Sequence, residues 1–490
     1  MRFLFYLTIY FALRLFSYFF TPPTPLLAGN WLNSIVAAAI LLLVIYFIWK
    51  KDIHGWLIIV AEILLGGGGG FLSIGPISLR TCLLAASLII FFGQLIKEKR
   101  GKITIADNRA AVLLFFALIL WAWVSAKIGF GHHHDAQLVF ADFIPYLFFL
   151  YYFPLRELWG EEKFRLTCFQ MLIAAIIGNA ILTLFTFIGF SSGLFAVQGA
   201  YYHWFRDVAG GKITALDFNF YRIVLNEHLL LAPLLLLAIW GVIAKNRKEQ
   251  ALPCHCEEAP IRRRRSNPIA IAMTLALMAI LSVNITRIYL IAFFVGLFFL
   301  FTRQNWKRWL VVSLASLACF CLTFTAIHLA ASRGQSLGWE LFGLRLQSIA
   351  SPQIEDSALS RMILLPKIWE KIKTAPIFGQ GLGDTVTAFS PIFKQNITTP
   401  HFDWGWLEIW AEMGAAGLLV WLALIIYLFI SLIKKTALEK PFYLAALSAL
   451  LVINITSPAL FHVFGVIFLA CLFTLIRASV SQSLAPPHIL

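Results

Sequence analysis

Apolar residues occupy this chain in long runs of roughly 17 to 25, broken by short polar or glycine-rich joints. A run of that length matches the ~30 Å of hydrocarbon in a bilayer at ~1.5 Å per residue. Lipid offers no partner to a backbone amide, so each run is expected to be a helix that satisfies its own hydrogen bonds. The pattern predicts an all-α polytopic membrane protein with about fourteen spans. They are placed at 4–20, 31–49, 55–73, 79–96, 110–128, 137–153, 168–190, 225–244, 269–285, 288–302, 309–330, 406–432, 441–456 and 459–476. The first carries Arg14 and the 288–302 run is short. Two longer polar stretches, 191–222 and 331–404, interrupt the series and are expected to pack together over the bundle. Within the second, Ser360 to Ile372 spaces its apolar residues at three and four, as an amphipathic helix does. Pro376 ends that helix and Phe378 to Gly383 is turn-rich. The chain therefore divides into membrane helices with short loops (1–330), a large loop (331–404) and C-terminal membrane helices (405–490).

Composition agrees: 60% of the 490 residues are hydrophobic, 13% are charged, and mean hydropathy is +0.83. A soluble domain carries about a quarter charged residues. Lys50-Lys51, Lys97 to Arg100, Lys245 to Arg265, Arg303 to Arg308 and Lys434-Lys435 fall in alternate joints. Positive charge marks the cytoplasmic side, so both termini are expected inside and the loops 191–222 and 331–404 outside. The net charge of +15 is then an orientation signal. It is scattered over joints and makes no nucleic-acid-binding face. The N-terminal run is read as the first span, since Pro22, Pro23 and Pro25 follow it without an Ala-x-Ala-like cleavage site.

Other polar features carry weaker chemistry. Cys254-His255-Cys256 lacks a fourth metal ligand and is read as part of a charged loop. Cys82, Cys168, Cys319, Cys321 and Cys471 sit in or beside spans, so no disulfide framework is expected. His132-His133-His134-Asp135 is read as a solvated loop, because consecutive residues converge poorly on one ion. Glu62, followed by Gly66 to Gly70, is either a functional carboxylate in the membrane or a paired group beside a helix break. No Asp-x-Asp pair marks an outer loop, which argues against a metal-held pyrophosphate; no metal and no cofactor are expected.

The candidate chemistry gathers at the outer edge. Arg222, Arg287 and Arg361 each stand where a span meets that side. Arginine suits phosphate because its planar fork makes paired, charge-assisted bonds and keeps its proton. His401 and Asp403 lie just before the 406–432 span, and Glu408 and Glu412 follow on one helix face. His401, with an ordinary pKa of ~6.5, accepts a proton at neutral pH; Asp403, at ~3.9, would do so only if burial raised it. Trp404, Trp406 and Trp410 offer rings for sugars or for the membrane interface. Gly414 and Gly417 fit close helix packing.

Ser360-Arg361 through Trp369, followed by Ala375-Pro376-Ile377-Phe378-Gly379-Gln380-Gly381, resembles the "SR…lW…P.fG.G" signature of bacterial O-antigen ligases and polymerases. Thr286-Arg287 resembles that family's "SR" before a span, and His401 to Gly417 its His-Asn…Leu…Glu-x-Gly-x-x-Gly element. The likeness covers mainly 280–420. One departure stands out: Asp403-Trp404 occupies the place of His-Asn, four residues before Leu407, and His401 comes two residues early. The base thus falls to His401 or Asp403.

The resemblance implies a metal-independent glycosyltransferase of the inner membrane with a periplasmic active face. Its donor would be a polyprenyl-pyrophosphate-linked glycan, and its acceptor a hydroxyl of lipid A–core, of a growing glycan or of a protein. His401 or Asp403 would be catalytic, and Arg222, Arg287, Arg361, Glu408 and Glu412 substrate-binding. Ligation to lipid A–core is the leading reading, from the single large late loop with the His element at its end. Repeat-unit polymerisation and protein O-glycosylation are the alternatives. A lipid-linked sugar flippase is the rival of another class; it would show an internal repeat and interrupted spans around a midplane site.

Overall fold

The computed structural model describes residues 2–21, 30–97, 109–244, 268–351, 356–390, 394–434 and 439–484. The first half contains α1 (Arg2–Phe20), α2 (Asn30–Trp49), α3 (Ile53–Leu65), α4 (Leu79–Lys97), α5 (Arg109–Gly131), α6 (Ala136–Leu147), α7 (Tyr152–Leu158), α8 (Glu162–Ser191), α9 (Ala200–His203) and α10 (Leu231–Ala244). The second contains α11 (Pro268–Asn284), α12 (Arg287–Phe299), α13 (Trp306–Ala331), α14 (Trp339–Ala350), α15 (Asp356–Thr374), α16 (Gly405–Ile433), α17 (Lys440–Ile453) and α18 (Val463–Leu484). Three antiparallel hairpins accompany them: β1 (Ser73–Ile74) with β2 (Ile77–Ser78), β3 (Lys212–Ala215) with β4 (Tyr221–Val224), and β5 (Val386–Ser390) with β6 (Gln395–Thr399).

Among the described residues nine helical stretches are long and apolar enough to cross a membrane, with shorter apolar helices such as Ile53–Leu65 and Arg287–Phe299 among them. The Cys254-His255-Cys256 segment and the whole basic 245–265 joint lie outside the described residues.

Helix ends differ from the expected spans where the backbone dictates it. The 55–73 run stops at Leu65, and Gly67 and Gly69 take left-handed φ of 63° and 90°. Arg80 fills the break, donating to the Gly67 carbonyl at 2.8 Å and to Glu62 Oε2 at 2.8 Å. Glu62 is thus a paired structural group beside a helix break. The 137–153 run breaks at residues 148–151 into α6 and α7, with Pro145 inside α6 and Pro154 in α7; proline lacks the amide hydrogen and crowds the preceding turn. Arg14 is buried in α1, bonded to Glu227 at 3.1 Å and to the Leu65 carbonyl at 2.8 Å, with Tyr10 against its guanidinium. Taking one partner from such a buried pair costs about 3–5 kcal/mol.

The core is continuous through the bundle, with α12 against α17, α1 against α8 and α10 against α11. Residues beside the basic joints meet in pairs: Gln94, near Lys97, donates to the Ile48 and Trp49 carbonyls next to Lys50, and Arg308 donates to the Val242 carbonyl. The 191–222 and 331–404 loops approach each other where the Lys212 charge reaches His401.

Candidate active site

Helix α16 is broken one third of the way along. Gly414 has φ 67° and ψ −177°, which frees carbonyls before it and amides after it. The turn-rich segment after α15 takes up those groups. Gln380 and Gly381 amides donate to the Ala411 and Glu412 carbonyls at 2.7 and 2.9 Å, and the Ala415 and Ala416 amides donate to Pro376 and Ile377 at 2.9 and 3.2 Å. Trp121 of α5 caps the Met413 carbonyl at 2.8 Å. Gly414 is therefore a break and not simply a packing glycine, whereas Gly417 does pack closely against the Trp121 ring.

The segment continues along the α5–α6 turn. The Leu382 amide donates to the Ser125 carbonyl at 3.1 Å. Ring nitrogens of His132 and His134 meet the Gln380 and Leu382 carbonyls at 2.8 and 2.9 Å, and Asp135 caps α6. Within the loop read as solvated, His132 and His134 clamp the late loop to the bundle, while His133 is exposed. Asp384 follows, bonded to Lys371 at 2.7 Å.

On this frame a small second core forms from Ile368 and Ile372 of α15, Val386 of β5, Ala411 and Phe402. Phe402 is fully buried there, and this one anchor turns His401 and Asp403 outward on either side. Asp403 adopts a left-handed φ of 56°, and its Oδ2 lies 3.9 Å from Arg361 Nε. His401 Nδ1 lies 3.6 Å from Glu408 Oε1, while the other Glu408 oxygen accepts the Phe402 amide at 3.1 Å. His401 is 61% exposed over a Glu408 that is 2% exposed, so a free imidazole edge rests on a buried carboxylate. That pairing is the main cause of a His401 pKa raised above the ordinary range; Asp142 adds to it and Lys212 opposes it. Asp403 is 39% exposed beside Arg361.

Asp142 of α6, partly buried, accepts the Gly383 amide at 3.0 Å, and its charge reaches the buried Glu408 and Glu412. One Glu412 oxygen has no hydrogen-bond partner. Lys212, at the start of β3, brings the 191–222 loop close enough to act on His401. Its strand partner β4 carries Arg222 opposite Thr214. Arg222 and Arg361 belong to two different loops, and the charge of each reaches the Tyr289 hydroxyl of α12. Arg287 begins α12, two residues earlier, and donates to the Arg345 carbonyl at 3.3 Å and to Ser348 in α14.

Two of the three tryptophans have structural duties. Trp404 donates to the Arg361 carbonyl at 3.1 Å; Trp410 donates to the Pro376 carbonyl at 3.1 Å and meets Trp369 edge-on. Sequence reasoning passed over Asp142, Lys212, Tyr289 and Arg345. Asp142 and Tyr289 stand in apolar runs, Lys212 in a short strand and Arg345 in a helix of the late polar loop, and only the chain's path joins them to the rest.

Residues 268–422 match the Wzy_C family model, described as O-antigen ligase. The matched stretch holds Arg287, Arg361, His401, Asp403, Glu408 and Glu412, and leaves Arg222, Asp142 and Lys212 outside it. No curated protein matches the chain significantly.

Proposed function

We propose, from the match of residues 268–422 to the O-antigen ligase family model, that this chain moves a glycan from a polyprenyl-pyrophosphate carrier to the hydroxyl of an acceptor. The acceptor we favour is lipid A–core, and the transfer takes place on the periplasmic face of the inner membrane. The observation that carries this reading is a carboxylate-backed imidazole, His401 on the buried Glu408, two residues from an Asp403 that faces the Arg361 guanidinium.

In this reading the acceptor O–H attacks the anomeric carbon, and its proton passes to the His401 imidazole. The bond from that carbon to the pyrophosphate oxygen breaks, and the lipid pyrophosphate leaves. Arg361 and Arg222 face the charge that gathers on the leaving group, a stabilisation that acts mainly in the transition state. Glu408 fixes the ring and balances the imidazolium; Glu412 and Asp142 sit behind it as a negative reserve. His401 takes the base role over Asp403 because it rests on the buried Glu408, whereas Asp403 is exposed beside Arg361. The break in α16, a feature a flippase would use to hold cargo, has its backbone groups bonded to residues 376–381.

The test is transfer in detergent, with no gradient, from a defined lipid-linked oligosaccharide to purified lipid A–core. It is paired with a gel of surface polysaccharide from a deletion strain. Product in detergent, and loss of the whole ladder over an intact core, are expected. Single-repeat caps in the deletion strain would assign polymerisation instead, and absence of transfer from any lipid-linked donor would overturn the reading.

A further inference from the structure

A cavity of about 570 Å³ lies among α3, α8, α10, α17 and α18 and takes in none of the candidate site residues. Its walls are hydrocarbon, with Ile63 from α3, Leu172 from α8, Leu234 from α10 and Phe468 from α18. On α18 the lining runs from Phe464 to Leu475, which is ~16 Å at ~1.5 Å per residue. That is about half of the ~30 Å of hydrocarbon in a bilayer, the depth of one leaflet. Leu64, Leu172 and Phe464 close the inner end, where they also border the small cavity beside His228. Trp56, near the start of α3, Trp159, just after α7, and Trp240, near the end of α10, stand at the mouth. Indole rings favour the level where hydrocarbon gives way to headgroups. Leu166 and Phe169 of α8 line the cavity and are exposed, so it opens sideways toward lipid. Two charges of opposite sign share the mouth: Arg165 in the first turn of α8, and Glu439 just before α17. Among the described residues neither takes an ion-pair partner, the other included.

Walls of this kind reject water, and an apolar cavity of ~150 Å³ already takes up a small hydrocarbon ligand. The cost of leaving such a space unfilled grows with its volume. A cation and an anion at the mouth, unpaired with each other, match a headgroup that carries both signs. We infer that this cavity binds a zwitterionic phospholipid, a phosphatidylethanolamine, from the leaflet at the Trp159 end. One acyl chain fills the slot between α8 and α18, the phosphate meets Arg165, and the ammonium meets Glu439. The second chain lies outside, against the exposed Leu166 and Phe169. An anionic phospholipid would satisfy Arg165 but set a further negative charge against Glu439, and a polyprenyl phosphate would do the same. The bound lipid bridges α8 to α17 and α18, and α17 in turn packs along α12. The inference stands on the cavity and its mouth, and holds whether or not the chain transfers a glycan.

The experiment uses the full chain, delipidated in detergent and mixed with a phosphatidylethanolamine that carries a diazirine near the end of one acyl chain. Light expels dinitrogen, the carbene inserts into a neighbouring C–H bond, and peptide mass spectrometry reads the site. Insertion is expected on α8 and α18 near Leu172 and Phe468. Excess unlabelled phosphatidylethanolamine should lower it about tenfold, while phosphatidylglycerol and undecaprenyl phosphate should leave it nearly unchanged. Arg165→Gln should raise the probe needed for half-maximal insertion about tenfold, the loss of a charge-assisted bond to phosphate. Glu439→Gln should erase the preference and let phosphatidylglycerol compete equally. Both changes lie at the mouth, and an unchanged elution profile reports an intact fold. In the unaltered chain phosphatidylethanolamine should also raise the thermal midpoint, as a ligand of the folded state does. Insertion confined to helices outside the cavity, or equal competition by all three lipids in the unaltered chain, would overturn the site. Stronger competition by undecaprenyl phosphate would overturn the zwitterion and give the cavity to a polyprenyl tail.

Discussion

A side chain on Gly414 would drive its first carbon into the carbonyl oxygen of Ile377. Gly414 also needs φ 67°, a region that costs L-residues about 1–3 kcal/mol. The Pro376–Gly381 strip and the break in α16 are therefore one unit, closed at its tightest point by these two residues. Gly414→Ala is expected to lower the thermal midpoint in detergent by several degrees and to reduce transfer, because α16 carries Glu408 and Glu412. A normal midpoint with normal turnover would mean the break tolerates a side chain, and its role as a fixed joint would fall.

The pairing of His401 with Glu408 sets a pH dependence. A base must be neutral, so activity falls as pH drops through the imidazole pKa, about tenfold per unit. Glu408 raises that pKa, which places the acid limb above the ordinary ~6.5. Glu408→Gln can still accept the Phe402 amide, but it carries no charge. It should move the limb to lower pH. An unmoved limb would separate Glu408 from the base. His401→Ala should lose about a hundredfold or more at every pH, and Asp403→Ala much less. The opposite ranking would give the base to Asp403.

Arg287 and Arg361 are proposed to hold phosphate oxygens through paired bonds, a geometry lysine cannot reproduce. Arg287→Lys and Arg361→Lys should each cut kcat/KM by roughly a hundredfold, at wild-type yield and elution volume. Arg361 carries the sharper expectation, because its buried Nε makes no hydrogen bond of its own. Full turnover in either variant would reduce that arginine to a structural or interfacial role.

Sidedness is open to a direct measurement. Cysteines placed at Ser351 and Ser266 should label oppositely with an impermeant thiol reagent in intact cells, with residue 351 reactive. Equal labelling would overturn the proposed orientation, and with it the periplasmic placement of the site.

Most helices were legible in the sequence because a bilayer leaves an apolar run few choices. What was hidden depended on partners distant in the chain. The break at Gly414 reads as one more small residue in a greasy span until residues 376–381 are beside it. Glu62 was left between two roles because nothing local shows that Arg80 reaches back across the glycine turn. The hairpins β3–β4 and β5–β6 are short and half polar, so neither gives the clean alternation of a longer strand. Arg222, Arg361, His401 and Asp403 could be picked out by residue type. Asp142 could not, since its ties to Gly383 and the α16 carboxylates arise only when α6 packs beneath the late loop.

The way residues 376–381 are stitched into α16 bears on how this protein can be recombined. Exchanging the 331–404 loop between related chains is a natural route to altered specificity, and cutting near Trp404 looks convenient. Such a graft would carry the donor's Pro376–Gly381 strip into a foreign helix whose kink was fitted to another strip. Four backbone hydrogen bonds would then depend on a match that neither parent had tested. Crossovers placed after Gly417 keep strip and kink from the same parent. The transferable module in this architecture runs from the loop through the first third of the helix that follows it.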